Sequence, residues 1–447
     1  MPQELSIDYI VQPGGHLSGQ IRVPGDKSIS HRSIMLGSLS EGITTISGFL
    51  QGEDSLATLK AFQAMGVKIK GPDELGEVVI EGVGMHGLKP PANALNLGNS
   101  GTSMRLLTGL LAEQGFDVTL SGDHSLSSRP MKRVTEPVVQ MGAMIEATET
   151  GTAPLLIKSN KDSRLKAIEY TLPMASAQVK SCILLAGLYA QGKTCVEEPA
   201  PTRDHTERML QGFGYQLQVS KLDAQRSRIC LQGGGKLTAC DIDVPSDISS
   251  AAFFMVGASI AEGSDLTLKH VGINPTRTGI INILRQMGAD INLSNEKQVG
   301  GEPVADIRIR SAQLTGIHIP EDQVPLAIDE FPAISIAAAC AQGQTVLTGA
   351  EELRVKESDR IQAMVDGMKV LGIDCEGTKD GMIINGGEFA SGTVDSLGDH
   401  RIAMSFAMAA LRATGTITIK DCANVNTSFP DFIGLAQSCG LLVTRVN

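Results

Sequence analysis

Six times along the chain a helix-like stretch ends in glycine and a short apolar run: AMGVKI, QMGAMI, GFGYQL, QMGADI, VLGIDC and SCGLLV. The glycines are Gly66, Gly142, Gly214, Gly288, Gly372 and Gly440. A second series interleaves with it at Gly42, Gly115, Gly192, Gly263, Gly343 and Gly415. Both series recur about every 75 residues, the mark of an internal repeat. Each glycine is predicted at a C′ position, where positive φ closes a helix and releases the chain into a strand. The stretches that follow alternate and are β-branched, as in Thr416-Ile417-Thr418-Ile419. Short strands are also expected before the first helix of most units, at 21–24, 170–173, 242–245 and 317–320, each ending in Pro. One unit is therefore strand, helix A, strand, helix B, strand. Six such units exceed one core, which predicts an α/β protein of two domains with three repeats each, divided near Gly233, Gly234 and Gly235. A solenoid of stacked repeats is the alternative.

The A helices are predicted to open within GDKSIS (25–30), GNSGTS (98–103), MASAQV (174–179), SDISSA (246–251), IDEFPA (328–333) and GDHRIA (398–403). The B helices open near GEDSLA (52–57), SSRPMK (127–132), TRDHTE (202–207), PTRTGI (275–280), KESDRI (356–361) and SFPDFI (428–433). Capping accounts for Asp54, Ser249, Asp359 and Ser428. It does not account for Lys27, Arg129, Arg203, Lys356 and Arg401, cations placed at helix starts where the macrodipole disfavours them. Equivalent positions in a repeat point to a shared anionic ligand, held by helix N–H groups and basic side chains. Asp329 and Glu357 sit beside these cations, either as first-turn acids or as an acid/base pair.

Composition narrows the choice. The chain has 447 residues, 42% hydrophobic, with net charge −11, 3% aromatics and no Trp. That is globular, and a poor match to nucleic acid, which needs a basic face and stacking rings. No apolar run approaches the roughly 20 residues of a membrane span. The start MPQELSIDYI has Glu4 and Asp8 and no signal-like apolar core, so a cytoplasmic location is expected. Eight Cys lie scattered from Cys182 to Cys439 without a CxxC, which reads as reduced thiols with neither a zinc site nor disulfides. GDKS is no P-loop, since Ile21 stands where its first glycine belongs, and neither GxGxxG nor HExxH occurs. The expected chemistry uses acids, bases and anion donors, with no metal or cofactor.

The motifs PGDKSISHRS (24–33), GNSGTSMR (98–105), SRPMKRV (128–134), PMASAQVKS (173–181), TRDHTERML (202–210), NPTRTG (274–279), IDEFP (328–332), LRVKESDR (353–360) and DHRIAMS (399–405) closely resemble the EPSP synthase family, the 3-phosphoshikimate 1-carboxyvinyltransferases. The likeness runs nearly end to end. SAQVKS, and Leu106 after Met104-Arg105, resemble the class II branch, since class I members usually have Pro at the latter position. The resemblance implies the two-domain enolpyruvyl transferase fold, six βαβαββ repeats with the active site in the interdomain cleft. Residues 1–23 and 246–447 would form one domain, and 24–245 the other. It also implies transfer of the enolpyruvyl group of phosphoenolpyruvate to the 5-hydroxyl of shikimate 3-phosphate, on the route to chorismate and aromatic amino acids. A monomer is the family expectation.

Carried over motif by motif, shikimate 3-phosphate would contact Lys27, Ser28, Arg32, Ser176, Ala177, Gln178, Arg203, Asp329 and Lys356. Phosphoenolpyruvate would contact Lys27, Gly101, Arg129, Gln178, Arg360 and Arg401, and glyphosate would occupy the same place. Asp329 is the implied base for the 5-hydroxyl and Glu357 the proton carrier at the methylene carbon, with Lys27 close to both substrates. One position departs from the pattern: Asn426 stands before TSFPD where class I enzymes have a Lys that reaches phosphoenolpyruvate.

UDP-N-acetylglucosamine enolpyruvyl transferase shares that fold but opens with a Lys-Asn pair and uses a loop Cys. Here Ser28 follows Lys27, and no Cys lies in a matching loop. A non-catalytic module binding anions or RNA phosphates is the reading from another class, and the net charge argues against it.

Overall fold

The computed structural model describes residues 7–159, 164–223 and 225–446. Glu4, part of the N-terminal reading above, lies outside them. The chain divides into two compact units. The N-terminal unit is Gly25–Val244 with Val299–Glu302; the C-terminal unit is Met1–Pro24, Pro245–Gln298 and Pro303–Asn447.

In the N-terminal unit the A helices are Lys27–Leu39, Gly101–Leu110 and Ala177–Gly187. In the C-terminal unit they are Ile248–Ile260, Phe331–Ala339 and His400–Ala409. All six open inside their predicted segments. Within each unit the A helices pack on one another and form the centre of a single apolar core. Ile248–Ile260 and Phe331–Ala339 are buried at every residue, as helices apolar on all sides must be. The B helices are Glu53–Ala64, Lys132–Gln140, His205–Gly212, Gly279–Gln286, Arg360–Val370 and Phe432–Cys439.

The sheets repeat one order, shown by Leu95–Asn96, Val118–Ser121, Leu155–Lys158 and Met144–Glu146. The strands before and after helix A pair in parallel, and the two strands after helix B add in antiparallel. Two strands exchange places where the chain passes from one unit to the other. Ser18–Ile21, before the first A helix, pairs in parallel with Asp265–Gly272, after the fourth. Ile242–Asp243, before the fourth, pairs with Ile43–Ser47, after the first. The sixth repeat keeps only Val443–Val446 after its B helix, and the N-terminal strand Asp8–Val11 fills the missing place between it and Ile417–Lys420.

Gly66, Gly142, Gly214, Gly288, Gly372 and Gly440 all have positive φ at the ends of B helices. The second glycine series needs correction. Its members lie a few residues beyond the A helices, at the entry to the next strand, and Gly115 and Gly415 lack positive φ. Asp359 is an N-cap, but Asp54 and Ser249 are second residues of their helices, capped by Gly52 and Asp247. Ser428 ends a 3-10 turn, and Asp431 caps the helix that follows.

The expectation of eight free thiols is also corrected. Cys195 and Cys230 form a disulfide between directly opposed residues of strands Lys193–Glu198 and Ser227–Gln232. A spacing search cannot find a bond set by strand register. Among the described residues no helix is long and apolar enough to cross a membrane, and no group of three or more His, Cys, Asp or Glu is arranged to hold a metal.

Candidate active site

In the C-terminal unit seven charged groups from three stretches of the chain, at 329, 352–360 and 399–401, come together near the A-helix starts. Arg360, the first residue of helix Arg360–Val370, is 1% exposed. Its Nη2 donates to Glu357 Oε2 at 2.7 Å, its Nη1 to Asp329 Oδ1 at 3.3 Å, and its Nε to Asp399 Oδ2 at 2.8 Å. Burial opposes the guanidinium charge, but Asp399, Glu357 and Asp329 outweigh it and hold the pKa above the usual arginine value. Lys356 Nζ stands 3.5 Å from Asp329 Oδ1 and 2.7 Å from Glu352. Arg401 Nη1 donates to the Asp329 carbonyl at 3.1 Å. Asp329 and Glu357, far apart in sequence, thus share one arginine.

Asp399 was not singled out from the sequence. It is fully buried, caps helix His400–Ala409 by accepting from the Arg401 N–H at 2.9 Å, and anchors Arg360. Its position inside DHRIAMS was visible, but its second role needs the fold. In the same unit, Ser249 donates to Glu330, and Arg277 Nη2 lies 3.0 Å from Asp247 and 2.5 Å from Ser249 Oγ.

In the N-terminal unit a second group surrounds the other three A-helix starts. Lys27 opens helix Lys27–Leu39 behind the Asp26 cap, and its Nζ is 3.1 Å from Asp54 Oδ2. Ser28 follows, and its carbonyl accepts from Arg32 Nη1 at 2.9 Å. Arg32, 5% exposed, also donates to Thr206 Oγ1 at 2.7 Å and Ser181 Oγ at 3.0 Å. These acceptors are neutral. Burial pulls its pKa down to about 10, against the pull of Glu207 and Asp26.

Gly101 opens the second A helix behind the Ser100 cap. Ser176 caps the third, and Ala177 and Gln178 are its first two residues. Gln178 Nε2 donates to Thr102 Oγ1 at 3.1 Å, and its Oε1 accepts from Arg105, a residue the sequence reading left out. First-turn N–H groups of helices lack helical acceptors, so these starts present donors to an anion. A methyl added at Gly101 would lie 3.1 Å from Arg129 Nη1 and 3.4 Å from Arg105 Nη1.

The placement of cations at helix starts holds for Lys27 and Arg401 alone among the five. Arg129 ends the short helix His124–Ser128 and bonds Asn99 Oδ1 at 2.6 Å through Nη2. Arg203 precedes helix His205–Gly212. Lys356 and Glu357 follow the 3-10 turn Glu351–Val355, ahead of Arg360. The short helix His124–Ser128 and the 3-10 turn Glu351–Val355 displace Arg129, Lys356 and Glu357 from their B helices, whereas Arg203 lies in the irregular stretch before its own. Burial pushes all six free thiols upward, Cys182, Cys340 and Cys422 to about 12, so none is a ready nucleophile.

A family model described as EPSP synthase (3-phosphoshikimate 1-carboxyvinyltransferase) matches residues 11–435. The 3-phosphoshikimate 1-carboxyvinyltransferase of Methylococcus capsulatus is 69% identical over 433 residues, 97% of each chain. That of Hydrogenovibrio crunogenus is 64% identical over 443 residues, 99% of each. An EPSP synthase structure from Acinetobacter baumannii superposes with TM-score 0.89 at 60% identity, covering 99% of this chain and 100% of that one. The enolpyruvyl transferase NikO from Streptomyces tendae shares the fold, with TM-score 0.78 at 15% identity and 99% coverage of each chain.

Proposed function

Because the chain belongs to the EPSP synthase family and transfers the enolpyruvyl group of phosphoenolpyruvate to the 5-hydroxyl of shikimate 3-phosphate, we propose how its own residues divide that work. Shikimate 3-phosphate is held by Lys27, Ser28, Arg32, Ser176, Ala177, Gln178, Arg203, Asp329 and Lys356. Phosphoenolpyruvate is held by Lys27, Gly101, Arg129, Gln178, Arg360 and Arg401. Both are small anions bearing phosphate and carboxylate, which suits arginine forks and helix N-termini.

The reaction needs a proton delivered to C3 of the enol, which leaves C2 cationic and open to the 5-hydroxyl. The tetrahedral intermediate then loses phosphate as a proton leaves the methyl carbon. Glu357 carries the proton at that carbon, and Asp329 takes the hydroxyl proton. Lys27, beside Asp54, supplies positive charge near both substrates. The observation that carries this reading is Arg360, which bonds both Asp329 and Glu357 and so fixes the separation of the two proton-transfer groups. No step calls on a metal or cofactor. Glyphosate takes the phosphoenolpyruvate place, and the enzyme works as a cytoplasmic monomer.

Titration calorimetry tests the division. Arg203→Gln should weaken shikimate 3-phosphate at least tenfold in the binary complex, while Arg129→Gln leaves that affinity within about twofold and raises KM for phosphoenolpyruvate. Equal loss of the binary affinity in both variants would refute the assignment.

A further inference from the structure

Lys180 has no part in the chemistry above, yet it is a fully buried charge. It is the fourth residue of helix Ala177–Gly187. Its Nζ lies 2.9 Å from Glu198 Oε2 and 2.7 Å from Glu207 Oε1, both carboxylates almost completely enclosed. Burial opposes the ammonium charge, but Glu207 and Glu198 hold its pKa above the usual lysine value. Glu198 ends strand Lys193–Glu198, and Glu207 is the third residue of helix His205–Gly212. Between them runs Pro199-Ala200-Pro201-Thr202-Arg203-Asp204. One ammonium therefore clamps both ends of the segment that carries Arg203. The segment is tied inside as well, since Thr202 Oγ1 donates to Glu198 Oε2 at 2.7 Å.

The neighbouring residues repeat the link. Ser181 and Thr206, next in sequence to Lys180 and Glu207, hydrogen-bond each other at 2.7 Å and both accept from Arg32. The ion triad and the hydroxyl pair together fix the third A helix against the third B helix, with Arg32 and Arg203 hung on that frame. An apolar side chain could fill the volume of Lys180. A buried ammonium with two carboxylates costs desolvation that apolar packing avoids, so its use here calls for a geometric reason.

We propose that Lys180 is a positioning residue: through Glu198 and Glu207 it holds the Arg203 segment and the Arg32 hydroxyl cradle in the geometry that receives the phosphate of shikimate 3-phosphate. This rests on the assignment of Arg203 and Arg32 to that substrate. Lys180 itself touches no reacting atom.

Lys180→Met alone strands two buried carboxylates and can unfold the unit. The informative protein is therefore Lys180→Met/Glu198→Gln/Glu207→Gln, which leaves no uncompensated charge in the triad. Two readouts are taken on it as the full chain. Amide hydrogen exchange over residues 198–208 should speed up at least tenfold. KM for shikimate 3-phosphate should rise at least tenfold, with kcat and KM for phosphoenolpyruvate within about threefold of the parent. Restoring Lys180 and Glu207, so that only Glu198→Gln remains, should recover most of both effects. A folded triple variant with parental exchange in this segment overturns the clamp. Faster exchange with an unmoved KM for shikimate 3-phosphate overturns instead the assignment of Arg203 and Arg32 to that substrate.

Discussion

Arg360 Nε sits 2.8 Å from Asp399 Oδ2, and both residues are almost completely buried. Asp399 also accepts from Ser358 Oγ at 3.1 Å and caps the helix that bears Arg401. One carboxylate thus sets the place of two arginines. Asp399→Ala would leave a buried guanidinium short of its most deeply buried counter-charge, at a cost of about 3–5 kcal/mol. A urea unfolding series should show that loss, and a change below about 1 kcal/mol would mean that Glu357 and Asp329 suffice to hold Arg360.

The same pair sets an acid limit. Burial raises the Asp399 pKa, but Arg360 and its hydrogen bond more than offset this and leave it below the usual aspartate value. The group therefore contributes stability above the unfolded value, about 3.9, and that contribution is lost as pH falls through the depressed folded value. Asp399→Asn should flatten the acid limb of the stability curve below about pH 4 relative to the parent. Parallel limbs in the two proteins would assign acid unfolding to other carboxylates.

Gly101→Ala tests the phosphoenolpyruvate place. The new methyl presses on Arg129 and Arg105 guanidinium tips at 3.1 and 3.4 Å. Glyphosate is longer than phosphoenolpyruvate and should suffer more. Its Ki should rise beyond the rise in KM by about 1–3 kcal/mol, the scale of overpacking. Competitive inhibition of the parent enzyme is part of the same prediction. If the parent is already insensitive, another feature governs the pocket, with Asn426 the first candidate.

The disulfide is checked by counting. Denatured without reductant, the protein should titrate six thiols, and after reduction eight. Eight thiols before reduction would show that Cys195 and Cys230 face each other unbonded.

Much of this was legible in the sequence for physical reasons. Gly66 and its five equivalents need positive φ, so the B-helix ends were readable from glycine alone. The A-helix starts were readable from the opening segments that recur with the repeat, all six of which hold a helix start. Other features depend on register and topology. Cys195 meets Cys230 only because two strands align them. The strand Asp8–Val11 joins the sixth repeat across most of the chain's length. Neither Asp399 nor Lys180 stands out in the sequence, and only the fold shows that both are buried. Motif likeness picked out residues that would touch substrate, whereas the groups that orient those residues emerged from the packing.

The central claim is that Glu357, held by Arg360, carries the proton at C3 of the enolpyruvyl group. The reaction run in deuterium oxide with shikimate 3-phosphate and phosphoenolpyruvate tests it directly, with deuterium in the methylene group followed by proton NMR. Protonation at C3 and loss of a proton from the resulting methyl group wash deuterium into that position. The parent enzyme should incorporate it at a rate comparable to turnover, and Glu357→Gln should lower incorporation and kcat together by about 10²–10⁴ with KM values largely kept. Incorporation by Glu357→Gln at the parental rate would contradict the account and move the proton at C3 to another group.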